Sequence, residues 1–333
     1  MKAAVIVSGP QGGHLEIQDL PRPVPGAGQV VIRVMASGLN RGELIRVREH
    51  RSGAPIQAGI EFAGTVSQVG PGVTNVREGD RVAGHGWGGQ SEYVLAEARA
   101  VMQMPATLSW AEAAAFPNVY VTAHDALVTN GEFRAGESVL VNAATGGIGL
   151  AAIQLAAQMG ARHVIAVSRS AAKLARLAEY GVTHTIDSSK VDLVQAVKEA
   201  TDGRGVDVVI DSLGGAVLDA NLKSMAVRGR LVILARMSGV ESAQLDIKHM
   251  WINRLKIIGT TFRTRTEEER LALIEACARD VLPLLAAGRL KQPVDSIFPL
   301  ADIVKAHAHM ESDQHFGKII LAVDPAAMPG KAS

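Results

Sequence analysis

The sequence predicts an α/β protein of two domains: a small, barrel-like β domain and a doubly wound parallel sheet. Three observations predict it. At 333 residues the chain is too long for one ordinary core. Residues 1–118 hold many short strand-like runs joined by Gly and Pro turns, the pattern of a β-barrel or sandwich. Residues 138–260 alternate strand-like and helical segments and contain no proline, as the central strands of a parallel sheet require.

In the first region, Lys2–Val7 and Val30–Ala36 are strand-like. Pro21–Gly26 between them is rigid or turning. A loop, Gly38–Leu44, leads into a basic stretch, Arg46–Arg51. Strands follow within Gly59–Gly70, after the turn Gly79–Gly84, and at Ser91–Leu95. From Trp110 to Gly131 the pattern turns helical, and the domain crossover is expected there.

The second region then reads as strands at Val139–Val141, His163–Ser168, Thr183–Asp187, Val206–Asp211, Arg230–Ala235 and Lys256–Gly259. Helices are expected at Ala171–Tyr180, Leu193–Ala200 and Gly215–Met225. In the tail, Thr266 and Glu269 form a capping-box pattern before an apolar helical stripe in Glu267–Ala287. Phe298–Ile303 leads into a second helix, and Gly317–Val323 is strand-like. The parallel sheet is already complete, so this last strand is assigned to the first domain. Residues 1–122 and 263–333 thus form one domain and 123–262 the other. Pro325–Ser333 reads as disordered.

Composition narrows the function. Hydrophobic residues make up 47% and charged residues 20%, as in a globular enzyme. A net charge of +1 implies neither nucleic acid nor an anionic membrane as partner. No apolar run reaches the ~18 residues of a spanning helix, and the first ten residues do not read as a signal peptide. The single cysteine, Cys277, excludes an intramolecular disulfide and a multi-cysteine zinc site. It lies on a helical stripe with Leu273, Ile274 and Val281 and reads as core. A cytoplasmic location fits this cysteine usage.

The chemistry is concentrated in Val139–Gly160. A short buried strand stops at small residues, and a helix follows with Ile148, Ala151, Ala152, Leu155 and Ala156 at helical spacing. Between them lies Ala143-x-x-Gly146-x-x-Gly149, a dinucleotide turn with alanine in the first glycine's place. Small residues let a pyrophosphate approach the backbone, and the helix N-terminus offers it free N–H groups. The end of the next strand selects between the two nicotinamide dinucleotides. It reads Ser168-Arg169-Ser170-Ala171-Ala172-Lys173, without Asp or Glu. Ser168, Arg169 and Lys173 suit a 2′-phosphate, so NADPH is expected. The alternative is a solvated helix start.

Several ordered motifs carry a family resemblance over nearly the whole length. They include Leu39-Asn40-Arg41-Gly42-Glu43-Leu44, Gly59-Ile60-Glu61-Phe62-Ala63-Gly64, Glu78-Gly79-Asp80-Arg81-Val82, Asn142–Gly149, Asp211–Gly215 and His315-Phe316-Gly317-Lys318-Ile319. On these the chain resembles the medium-chain dehydrogenase/reductase superfamily, and within it the zinc-free NADPH:quinone oxidoreductases. The resemblance implies a GroES-like β-barrel domain plus a Rossmann domain, an active site in the cleft, and a homodimer joined edge to edge through Lys256–Phe262. The metal positions of the superfamily's alcohol dehydrogenases correspond to Asn40 and Ile60 here, so no metal is expected.

The implied activity is hydride transfer from NADPH to a quinone or a similar electron-poor carbonyl acceptor. An enone, alkenal or enoyl double-bond reductase is the first alternative. A crystallin-like NADPH-binding protein with little turnover is another. By the same correspondence Asn40 lies beside nicotinamide or substrate and Thr122 helps fix the nicotinamide. Ala144, Thr145, Gly146, Gly147 and Ile148 line the pyrophosphate. Ser212, Leu213, Ala235, Arg236, Met237, Phe262, Arg263 and Lys318 are further cofactor contacts. The tyrosine that related reductases carry near His50-Arg51 is missing, which leaves His50 as a candidate proton donor and tilts the reading towards quinones. The acceptor is expected to be a small molecule.

Overall fold

A computed structural model describes residues Met1–Met328. The chain forms two compact units. The first comprises Met1–Val119, Leu271–Gly288 and the tail from Gln292; the second comprises Tyr120–Arg270 with Arg289–Lys291.

The first unit is built on a seven-stranded sheet and a three-stranded one. The larger sheet runs Val294–Pro299, Lys318–Ala322, Gln29–Gly38, Glu61–Val69, Arg81–His85 and Val101–Gln103, with Tyr93–Glu97 also paired to Gln29–Gly38. Lys318–Ala322 is antiparallel to Gln29–Gly38, opposing Ile320 to Gly38. This register brings position 318 to the loop that carries Asn40. The smaller sheet places Lys2–Val7 between His14–Asp19 and Ile56–Gln57. Alternating apolar residues of the larger sheet (Val30, Ile32, Val34, Phe62, Val66, Val82) fill one core. Another core gathers Ile6, Leu39, Leu44, Ile303, Ala306, Met310, Ile319 and Leu321.

Four features depart from the sequence reading. Arg41–Glu49, read as a basic stretch, is a helix whose Leu44 is buried. His14–Asp19 and Val294–Pro299 are strands; their side chains are mostly half-buried or exposed, so the apolar alternation is weak. Ala171–Tyr180 opens as one α-helical turn and tightens to 3₁₀ from Ala175. Pro325–Ala327 is a 3₁₀ turn capped by Asp324, whose side chain also pairs with Arg33. Residues 329–333 of the expected disordered tail lie outside the described residues.

The second unit contains a six-stranded, all-parallel sheet in the order His184–Asp187, His163–Ser168, Ser138–Val141, Val206–Asp211, Met225–Ile233, Lys256–Gly259. This is the 3-2-1-4-5-6 order of a Rossmann sheet. The first strand is wholly buried, as its apolar run requires. The sheet's core unites Leu140, Ile165, Val167, Val209, Leu222 and Leu231. The crossover helix Pro117–His124 runs on into a π-helical segment, Asp125–Asn130. Among the described residues no helix is long and apolar enough to cross a membrane.

Candidate functional site

The second unit holds the glycine turn. Helix Gly147–Gln158 begins within it, and among the described residues its N-cap, Gly146, makes no side-chain cap bond. An uncapped helix start keeps its first N–H groups for a ligand. Gly146, Gly147 and Ile148 are half-exposed there. A Cβ on Gly146 would meet only the Ala143 carbonyl, at 3.5 Å, whereas one on Gly149 would run into Ala143 and Ala144 at 2.6–2.8 Å. Gly146 thus leaves an open approach, and Gly149 is needed for helix-on-turn packing. Ala143 adopts φ 49°, a left-handed conformation that a glycine would hold without strain. These features fit a dinucleotide pyrophosphate. Ala144 and Thr145 do not face outward as expected. Both are buried, and the Ala144 N–H is bonded to Val167 O at 3.1 Å. They shape the turn from inside.

Below the turn, Asp211 accepts bonds from Leu213 N at 3.0 Å, Gly214 N at 2.9 Å and Asn142 Nδ2 at 3.2 Å. Burial pushes its carboxyl above the usual range. Ser212 O and Leu213 O in turn receive Met237 N and Ser238 N. The structure therefore ties the Ser212–Leu213 and Ala235–Met237 segments together, although Ser212 itself is buried. Arg236 is paired with Glu241. Arg169 is exposed, and Ser168 and Lys173 are half-buried. Phe262 is half-buried and Arg263 exposed, in a loop anchored by Arg265. Arg265 donates to the buried Asp125 at 2.8 Å and to Thr260 at 2.8 Å. Thr122 is half-exposed on helix Pro117–His124.

The first unit holds a buried polar network. Lys318 and Glu61 form an ion pair at 2.6 Å with side chains 3% and 0% exposed. Lys318 also donates to Leu39 O and Asn40 Oδ1, both at 2.8 Å. An ammonium has three protons, and all three are used. Lys318 is accordingly not placed to touch a cofactor, contrary to expectation. Asn40 Nδ2 donates to Glu61 at 2.8 Å and, more weakly, to Glu43 and Gly38 O at 3.3 Å. Its Oδ1 accepts from Lys318 and from Asn118 Nδ2 at 2.8 Å. Both ends of the Asn40 amide are therefore engaged, and Asn40 is corrected from a ligand contact to the hub of the network.

Glu61 Oε2 accepts the Asn118 N–H at 2.8 Å, at the start of helix Pro117–His124, where a carboxylate meets the favourable end of the helix dipole. Gln90 donates to Glu43 at 2.6 Å. Glu43 is buried; its desolvation, partly offset by Lys318 and the Asn40 bond, raises its pKa to about 7. His50 lies apart from this cluster. It caps the other end of helix Arg41–Glu49, about 15 Å from Asn40 along the axis at 1.5 Å per residue, and bonds to Ala54 O at 3.1 Å. Sequence reasoning missed Glu43, Glu61, Gln90 and Asn118 as site residues. The available signal was Glu61, a charged residue inside an otherwise apolar strand pattern.

Two family signatures match the chain. Residues 26–106 match the alcohol dehydrogenase GroES-like domain and residues 147–278 the zinc-binding dehydrogenase family. The rat synaptic vesicle membrane protein VAT-1 homolog is 31% identical over 336 residues, spanning 94% of this chain and 82% of that protein. The chain belongs to the medium-chain dehydrogenase/reductase superfamily. Within it, the chain is quinone oxidoreductase-like. A Pseudomonas syringae quinone oxidoreductase structure is similar at TM-score 0.84 and 29% identity, covering 96% of this chain and 99% of that one. A mycobacterial protein, Rv1454c, solved complexed with NADPH, is similar at TM-score 0.85 and 27% identity, covering 97% and 100%. The phthioceranic/hydroxyphthioceranic acid synthase of Mycobacterium tuberculosis is 33% identical over 320 residues. This chain covers 15% of that synthase's length.

Two stability measurements test the network. Lys318→Met leaves Glu61 buried and unpaired and is expected to cost about 3–5 kcal/mol in urea unfolding. Adding Glu61→Gln should recover most of it. A loss below about 1 kcal/mol would show that the pair does not constrain the fold. For Glu43, the folded pKa of about 7 lies above the ordinary carboxylate value of 4.5. The folded state therefore binds the extra proton between those values, and wild-type stability falls as pH rises through that window. Glu43→Gln should abolish this part of the slope. An unchanged slope refutes the assignment.

Proposed function

We propose that this reductase is NADPH-dependent and passes a hydride, without zinc, to a quinone or a similar electron-poor carbonyl acceptor. The observation that carries the reading is the pairing of an uncapped, glycine-turned helix start with a metal-unsuited polar network. At the alcohol dehydrogenase metal positions stand an amide, Asn40, and an aliphatic side chain, Ile60. The ammonium of Lys318 is bonded to Asn40 and to the neighbouring carboxylate Glu61. Neither thiolate nor imidazole is in that set, so it does not fit zinc. Among the described residues no cluster of three or more His, Cys, Asp or Glu could hold a metal.

When bound, NADPH supplies the hydride. The backbone N–H groups of Gly147 and Ile148 would hold its pyrophosphate, and Ser168, Arg169 and Lys173 its 2′-phosphate. Thr122, Phe262 and Arg263 are the further contacts we assign to it. The protein's share of the chemistry is orientation of the acceptor and exclusion of competing reactions. The quinone oxygens take their protons from water, so no tyrosine is needed and His50 is not required. Reduction of an enone or enoyl double bond is the second reading, favoured by the match to a segment of the named acid synthase. We also propose a homodimer through the free edge of Lys256–Gly259. The adjacent helix Ile247–Asn253 carries Trp251 at 72% and Ile247 at 61% exposure, as a covered interface would.

The deciding measurement is NADPH oxidation against quinones, enals, enones and enoyl thioesters. Quinones are expected to give the highest kcat/KM, and preference for an enoyl thioester would replace the first reading by the second. Arg169→Glu should raise the KM for NADPH about tenfold or more and that for NADH little; equal effects would sink the cofactor assignment. In sedimentation the chain should be a dimer, and Trp251→Glu should make it monomeric. A monomeric wild type would refute the edge-to-edge pairing.

A further inference from the structure

The buried network of the first unit ends at one half-exposed side chain. From Ala113 to Val121 every residue is buried except Asn118. Its backbone is held by the bond from its N–H to Glu61 Oε2, and its side chain by the bond to Asn40 Oδ1.

The polarity of that side chain is fixed from behind. Lys318 has only protons to offer, so the Asn40 atom facing it must be the carbonyl oxygen. Glu61 offers only lone pairs, so the Asn40 atom facing it must be the NH₂. The same Asn40 oxygen is what Asn118 meets. Asn118 must therefore turn its NH₂ inward, and its carbonyl is the end left to face outward. That oxygen receives no hydrogen bond among the described residues, and its chain neighbours are apolar and buried.

We propose that Asn118 touches the acceptor, its side-chain carbonyl taking a hydrogen bond from the hydroxyl that reduction creates there. The proposal rests on the reading of the chain as an NADPH-dependent quinone reductase. The balance of the step is simple. The ring accepts a hydride from the cofactor and two oxygens of the ring end protonated, the missing proton coming from water; the quinone becomes a quinol and NADPH becomes NADP⁺. An oxidised quinone has acceptors only and gains nothing from a carbonyl. The quinol has O–H donors and gains one hydrogen bond. Asn118 thereby discriminates between the two oxidation states of the same ring. Asn40, Lys318 and Glu61 act through it as positioning residues.

The test uses the full chain and one naphthoquinone with its quinol, handled without oxygen. One neutral hydrogen bond corresponds to about a fivefold change in affinity. Asn118→Ala and Asn118→Leu are expected to raise the quinol's dissociation and product-inhibition constants about fivefold. The KM for the quinone should move less than about twofold. A merely structural role would move both constants together, and that result overturns the proposal. So does an unchanged quinol constant, or a wild type that binds neither ring. If wild type binds both rings but none of the quinones, enals, enones or enoyl thioesters supports NADPH oxidation, the functional reading fails. The two binding constants and their change in the variants still decide the role of Asn118.

Discussion

A carboxylate and an ammonium taken out of water must satisfy each other and every remaining lone pair or proton. Glu61 and Lys318 are held to that condition. They sit on strands with another strand, Gln29–Gly38, between them. The register of those strands brings Lys318 beneath the loop Leu39–Asn40. A Cβ at position 38 would strike the Glu61 carboxylate, which explains why the strand ends in glycine there. The bonds of Asn40, Glu43, Gln90 and Asn118 follow from completing the pair's hydrogen bonding. The geometry of this network thus descends from one buried charge pair.

The same logic shapes the chemistry. A divalent metal would polarise a carbonyl oxygen directly. The network supplies amides whose direction is dictated by charges behind them, with Glu43 poised to take up a proton near neutrality. On the proposed reading, such a site orients a ligand and discriminates by hydrogen-bond polarity, leaves the reducing power to the cofactor, and suits acceptors that are already electron-poor.

The second unit obeys a different constraint. Its glycine turn is open on one side and tightly packed on the other. Gly146 and Gly149 divide those duties, while Ala143 takes the left-handed backbone that the turn geometry imposes. The Asp211 carboxylate organises the neighbouring loop by accepting its N–H groups, so the surface offered to a dinucleotide is backbone supported by buried side chains.

Local pattern carried much of this into the string of residues. The strands of the parallel sheet, the glycine turn and the capping box before Glu267 were legible because each depends on neighbours in sequence: period, small residues, and one helical turn. The buried network was not legible. Glu61 and Lys318 are 257 positions apart, and nothing local says that strand register will superpose them. Lys318 therefore read as a cofactor contact and Asn40 as a ligand contact, and helix length, which carries His50 away from Asn40, was hidden in a stretch that read as basic loop. Residue types and short-range spacing set the fold class and the cofactor cradle. Which polar atoms are already spent on one another, and which one is left facing outward, depended on long-range pairing that only the folded chain contains.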